Sequence, residues 1–249
     1  MTPTALHAFL ATTLNITLPT SPVIPGHAAP FDYLTHAFFA DHKPHFLPRS
    51  APTDCIVWAN RGGGKTFLGA LATFLDLAFK PGIEIRILGG SLDQSRRMHA
   101  YLRRFLEPSD PSPRLQDLLA DLQPTVAARR ITCANGSAVE LLAQSHTSVR
   151  GTRVQKLRLD EVELFDPDVF EAAQLTTRSE HLGGLHIKGS VECLSTMHIP
   201  HGLMHTLVGQ ARPDQGAFIG PPRWSLFKWG IVDSLEHCGP QHSCTHPHT

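Results

Sequence analysis

The segment Cys55-Ile-Val-Trp-Ala-Asn-Arg-Gly-Gly-Gly-Lys-Thr66 limits what this chain can fold into more than any other stretch. An apolar run from Asp54 to Ala59 ends in three consecutive glycines. Phe67, Leu68, Leu71, Phe74, Leu75, Ala78 and Phe79 then recur at helical spacing, and Pro81-Gly82 closes the pattern. The run reads as a buried strand and the repeat as an amphipathic helix. Between them the glycines let backbone N–H groups converge with no Cβ in the way, at a helix start whose dipole favours an anion. This is the context of a phosphate-binding loop. Ala59, Asn60, Arg61, Gly62, Gly63, Gly64, Lys65 and Thr66 are therefore the candidate nucleotide cradle. Lys65 is expected to reach the β- and γ-phosphates and Thr66 to offer its hydroxyl to Mg²⁺. Ala59 occupies the position of the first glycine in the strict pattern.

The rest of the middle segment alternates strands and helices. Ile83–Leu88 is β-branched and strand-like, and Gly89-Gly90-Ser91 leads into a helix expected over 92–106. Asn135-Gly136 between apolar runs (128–133 and 137–142) signals a hairpin. A strand is expected over 154–159, a helix from Pro167 to about Arg178, a strand over 187–194 and a short helix over 203–208. This alternation implies an α/β fold, a mostly parallel sheet with helices on both faces. Residues 1–50, rich in Pro and His, read as an irregular N-terminal arm or lid with short helices near 6–14 and 33–39. Residues 51–212 read as the main domain and 213–249 as an irregular tail, with Trp224 and Trp229 packing back onto the domain.

Two further strand ends carry candidate chemistry. Lys156-Leu-Arg-Leu-Asp160-Glu161 delivers two adjacent acids, 95 residues after Lys65. In nucleotide hydrolases such an Asp holds the metal's water shell, and the neighbouring Glu polarises the attacking water. Asp160 with Thr66 is thus the candidate metal site and Glu161 the candidate catalytic base. Val191-Glu-Cys-Leu-Ser195-Thr196 ends a later strand in two hydroxyls. If that strand lies between the other two, Ser195 and Thr196 face the γ-phosphate. Arg61, inside the loop, and Arg150, 11 residues before Glu161, are both candidates for offsetting transition-state charge, the first in cis and the second across a subunit boundary. Arg96, Arg97, Arg103 and Arg104 share a broad helix face that reads either as solvated or as a phosphate-backbone track. Cys238 and Cys244, among tail histidines, read as incidental or as half of a zinc site.

Composition narrows the classes. Lys+Arg and Asp+Glu both number 22, so a globally basic nucleic-acid binder is excluded while a local basic track is not. Apolar residues at 41% suffice for a sizeable core. No apolar run approaches the roughly 18 residues that cross a bilayer, and the first residues lack a secretory pattern, so a cytoplasmic protein without membrane contact is expected. Five cysteines, three of them in strand-like segments, fit a reducing compartment.

Together, Trp58-Ala-Asn-Arg-Gly-Gly-Gly-Lys-Thr66, Val149-Arg-Gly-Thr152, Leu157-Arg-Leu-Asp-Glu161 and Leu194-Ser-Thr196 resemble the ATPase half of the phage terminase large subunit. The likeness spans roughly residues 54–208. It implies a P-loop NTPase fold of the RecA/ASCE type, with ATP and Mg²⁺ as cofactors, and hydrolysis that moves double-stranded DNA into a capsid. It also implies a homo-oligomeric ring, with portal and small terminase subunit as partners. By the same resemblance Asp160 is the Mg²⁺-side acid, Glu161 the catalytic Glu, Ser195-Thr196 the coupling motif and Arg150 similar in placement to an arginine used in trans. The family's second, nuclease half has no counterpart expected in the 40 or so residues after Gly209. A helicase-type translocase and a nucleotide-binding module without turnover are the alternatives.

Overall fold

The computed structural model describes residues 1–42, 44, 51–144, 153–212 and 222–235. Two helices open the chain, α1 (Pro3–Thr13) and α2 (Pro30–Phe39). Then follow β1 (Cys55–Ala59), α3 (Lys65–Phe79), β2 (Glu84–Gly89), α4 (Leu92–Leu106) and α5 (Pro113–Leu122). Strands β3 (Thr125–Val126), β4 (Arg130–Thr132) and β5 (Ala138–Ala143) precede β6 (Lys156–Asp160). The remainder is α6 (Pro167–Gln174), β7 (Glu180–Leu182), β8 (Leu185–Ile187), β9 (Ser190–Ser195), α7 (Leu203–Ala211) and β10 (Ser225–Trp229).

Eight strands form one sheet in the order β10-β1-β9-β6-β2-β5-β4-β3. The five pairings from β10 to β5 are parallel; β5-β4 and β4-β3 are antiparallel. Strand side chains alternate between two cores, as a sheet covered on both faces requires. Val57 and Leu194 join α1–α5 on one face, while Ile56, Leu157, Leu159 and Cys193 join α6 and α7 on the other. The expected α/β architecture is present, with β9 seated between β1 and β6.

Helix starts follow local chemistry. Ser91 accepts the Gln94 N–H at 3.3 Å and Gln94 accepts the Ser91 N–H at 2.9 Å, a reciprocal cap that sets α4 to begin where the sequence pattern begins. Asp166 caps α6 ahead of Pro167. That helix ends at Gln174, short of Arg178, because Val154 captures the next residues in a bridge to Thr177. The strand expected over 187–194 is interrupted at Lys188-Gly189. A Cβ on Gly189 would lie 2.9 Å from the Arg178 backbone, so the chain changes partner there.

The two chain ends depart from expectation. In the N-terminal segment Leu6, Leu10, Tyr33 and Leu34 are fully buried in the same core as β1 and α3. Its apolar residues are spread over two short helices, which weakens the periodic signal without weakening the burial. The tail is not wholly irregular either. Ser225–Trp229 adds the edge strand β10, parallel to β1. Trp224 and Trp229 do pack against the domain, each 2% exposed. Among the described residues no helix is long and apolar enough to cross a membrane.

Candidate active site

Strands β1, β6 and β9 are neighbours, so their C-terminal ends bring the three sequence motifs to one edge. The loop after β1 turns through Gly62 (φ +81°) and Gly64 (φ +78°). Gly63 is constrained differently: an added Cβ would sit 2.8 Å from Asn60 Oδ1 and 3.1 Å from the Asn60 carbonyl. The Gly63 carbonyl is held from outside by the Trp229 indole N–H at 2.7 Å, so the edge strand braces the loop. Gly63→Ala is expected to destabilise the protein by about 1–3 kcal/mol through this overpacking. Thermal unfolding checks it, with Gly209→Ala as the control at a position with no atom within 4 Å.

Helix α3 begins directly at Gly64 with no side-chain cap. Every other described helix start has a side-chain acceptor at or beside its first turn: Thr2, Asp32, Ser91, Ser112, Asp166 or Glu163. The first N–H groups of an α-helix have no partner within it, so an uncapped start leaves donors for an external anion. Asn60 Oδ1 is also buried without a hydrogen-bond partner among the described residues.

The Lys65 ammonium lies under the loop, 5% exposed. It donates to the carbonyls of Ala59 (3.3 Å) and Asn60 (3.2 Å) and to Thr196 Oγ1 (2.7 Å), and stands 3.9 Å from Glu161. Burial lowers its pKa, against the pull of Glu161 and Asp160, and the nearby Arg61 charge adds to the lowering. The Thr66 hydroxyl meets both carboxylate oxygens of Asp160 at 3.2 Å. Burial, and then the adjacent Glu161 charge, push the Asp160 carboxyl up to about 7; Thr66, Lys65 and Arg97 oppose the rise.

Glu161 takes the left-handed conformation (φ +55°, ψ +53°), sparsely populated for a residue with a Cβ. Its N–H nevertheless continues the sheet, donating to Leu194 O at 2.7 Å. One carboxylate oxygen is held by the Ser195 hydroxyl (3.2 Å) and the Thr196 N–H (3.4 Å); the other faces Lys65. Backbone strain and side-chain bonds therefore fix the acid at the cleft. That cleft, about 310 Å³, is lined by Arg61, Gly62, Gly64, Lys65, Thr66 and Glu161, and also by Gln94, Arg97, Tyr101 and His198. Arg150 lies outside the described residues, as do Cys238 and Cys244.

Sequence reading passed over Glu163. This buried acid accepts N–H groups from Ile199 (3.2 Å) and Met204 (2.6 Å), and its own N–H donates to Ser195 Oγ (3.2 Å). It ties the end of β6 to the loop after Ser195-Thr196 and to the start of α7. The only signal was a third acid two residues past the pair, which a polar turn explains equally well.

No protein-family model and no curated protein matches the chain. Solved structures do. The large terminase of bacteriophage HK97 superposes with a TM-score of 0.61 at 15% identity, over 92% of this chain and 44% of that one. The large terminase of a thermophilic bacteriophage gives 0.54 at 14% identity, over 78% and 44%. The large terminase ATPase domain of Thermus phage P74-26 gives 0.50 at 13% identity, over 75% and 81%. This chain has the large terminase ATPase fold. It spans less than half of the first two terminases and most of the isolated Thermus phage domain. Within the terminase fold, the candidate residues of β1, β6 and β9 converge at one edge of the sheet.

Proposed function

We propose that this chain is a Mg²⁺-dependent ATPase that drives double-stranded DNA translocation during viral genome packaging. One observation carries the reading: Lys65, the Thr66–Asp160 pair and Glu161 meet in a single cleft at the C-terminal edge of adjacent parallel strands. Ligands bind at that edge in open α/β sheets.

The residues fit the groups the reading requires. Uncapped N–H groups at the start of α3 and the glycine turn suit phosphate oxygens. The Lys65 ammonium, buried and already pointing at the loop carbonyls, supplies a fixed positive charge. Thr66 and Asp160 together offer a hydroxyl and a carboxylate, the hard oxygen donors that Mg²⁺ takes. When bound, Mg²⁺ would neutralise developing charge on the β- and γ-phosphates. It would also favour the charged form of Asp160, whose proton it would displace. Glu161 is the base that orients and deprotonates the attacking water, and Arg61 faces the same phosphates from the loop. Ser195 and Thr196 contact Glu161 and Lys65 at once, so a change in either reaches β9 and, through Glu163, the start of α7. That is a physical route from the nucleotide to a moving surface, as a DNA motor needs. The ring, the portal and the small subunit belong to the same proposal.

The test is phosphate release from ATP by the purified full chain, with and without double-stranded DNA. Activity that requires Mg²⁺, vanishes with chelator and rises with DNA is the expected result. Thr66→Val is expected to lower turnover at least about tenfold and to raise the Mg²⁺ concentration needed. ATP binding without phosphate release, with DNA present, would instead identify a nucleotide-binding module that does not turn over.

A further inference from the structure

Helix α4 carries four arginines that the sequence places on one broad face, and the structure separates one from the rest. Arg96 donates to Asp93 at 2.9 Å, Arg103 to Glu107, and Arg104 lies over the Tyr101 ring at 5.5 Å. Arg97 has no hydrogen-bond or ion-pair partner among the described residues. Gln94, Arg97 and Tyr101 fall at i, i+3 and i+7 on a stripe that Arg104 continues, and the first three line the cleft that holds Lys65, Thr66 and Glu161.

The direction of approach matters. In the sheet order β1-β9-β6-β2, the loop after β1 forms one side of the cleft. Helix α4 leaves the end of β2, where Gly89 is in register with Asp160, and so forms the side that carries the acids. Arg61 and Lys65 meet a bound polyphosphate from the loop. Arg97 meets it from the acid side, where the attacking water and the terminal phosphate must lie if Glu161 is the base. An unpaired guanidinium in a cleft is a strong, geometrically selective donor to phosphate oxygens.

We propose that Arg97 contacts the terminal phosphate of the bound nucleotide, in cis, and makes this cleft prefer a triphosphate to a diphosphate. The inference rests on the nucleotide-binding reading above and adds a residue and a selectivity to it. A diphosphate reaches Lys65 and the α3 start but leaves Arg97 without a partner, so the two ligands should respond differently to its removal.

Equilibrium binding of ATPγS and of ADP to the full chain, each with Mg²⁺, tests this. Arg97→Ala is expected to weaken ATPγS by about tenfold or more, the worth of a charge-assisted bond, and ADP by less than about twofold. Arg97→Lys should recover part of the loss, and Arg96→Ala, one residue away and paired with Asp93, should bind both ligands as the parent does. Equal weakening of both ligands by Arg97→Ala, or no change in either, overturns the inference. So does a variant that keeps its nucleotide affinities and loses only double-stranded DNA binding. A parent chain that binds neither nucleotide overturns the phosphate-loop reading itself, and this inference with it.

Discussion

Glu161→Gln is expected to lower phosphate release by about 10²–10⁴-fold, the usual contribution of a positioned general base. Affinity for Mg²⁺-ATP should stay within about twofold of the parent. The geometry separates the two effects. In the proposed reading the phosphates are met by Lys65, the glycine turn, the uncapped start of α3, Arg61 and Arg97, and none of these is built on Glu161. A glutamine keeps an acceptor oxygen for the Ser195 hydroxyl and the Thr196 N–H, so β9 and β6 remain tied. What is lost is the negative charge 3.9 Å from Lys65 and the capacity to take a proton. Single-turnover phosphate release together with equilibrium nucleotide binding distinguishes the cases. Unchanged turnover in Glu161→Gln removes Glu161 from the chemistry. Lost turnover with equally lost binding makes it a structural prop for Lys65.

The strand, glycine turn and helix of residues 55–79 were legible because every level of the sequence agrees: an apolar run, glycines at Gly62 and Gly64 where φ is positive, then a helical repeat. The acids of β6 and the hydroxyls of β9 were legible only relative to that loop, since an Asp-Glu or Ser-Thr at a strand end has ordinary explanations. Their convergence depends on strand order, which no local pattern encodes. The role of Trp229 was invisible for the same reason. Its indole reaches Gly63 from a residue 166 positions away, through an edge strand in a proline-rich tail. Helical spacing did contain the Gln94-Arg97-Tyr101 stripe. The four arginines of α4 marked one broad face, and only the cleft shows that Arg97 is the one turned inward.

The alternating charges of Lys156-Leu-Arg-Leu-Asp160 carry an arrangement that no local pattern shows. Such alternation ordinarily means one solvated face. Here both faces are buried, and the charges meet a network beneath α3. Arg158 binds Asp76 at 2.6 Å and Glu192, its cross-strand neighbour in β9, at 3.0 Å. Lys156 lies 3.0 Å from Asp41 and 3.1 Å from Asp76, and Lys80 lies 2.6 Å from each of the same two acids. Tyr33 donates its hydroxyl to Glu192 at 2.8 Å. Three cations face three carboxylates, so the cluster is neutral. Its partners are far apart in the chain: Arg158 reaches one acid 34 positions away and another 82 positions away. No window of sequence shows that balance. The cluster also joins α3, β6 and β9, the elements that deliver Lys65, Asp160 and Ser195.

Asp76→Ala is therefore expected to be among the most destabilising single changes in the molecule. It removes one carboxylate from a site that is 0% exposed and leaves Lys80, Lys156 and Arg158 in excess. Breaking a buried ion pair from one side costs about 3–5 kcal/mol, because an uncompensated charge stays behind. For a chain of this size that corresponds to a fall in Tm of roughly 10 °C. Burial alone would raise the Asp76 pKa, but Lys156, Lys80 and Arg158 outweigh it and hold the carboxyl below its ordinary value; Asp41 is held low in the same way, by Lys156 and Lys80. A carboxyl whose folded pKa is depressed contributes stability above its unfolded pKa, about 4, and loses it as pH falls through the folded value. The parent should thus lose stability steeply below about pH 4, and Asp76→Ala should show a shallower acid limb from a lower plateau. Thermal unfolding from pH 7 down to pH 3 measures both. A variant that melts within about 2 °C of the parent at pH 7 and keeps the parent's acid limb would mean that the network is relaxed by water and does not clamp the site-bearing elements. With a clamp present, nucleotide affinity in Asp76→Ala should fall together with Tm, since α3 carries both the lost carboxylate and, 11 residues earlier, Lys65.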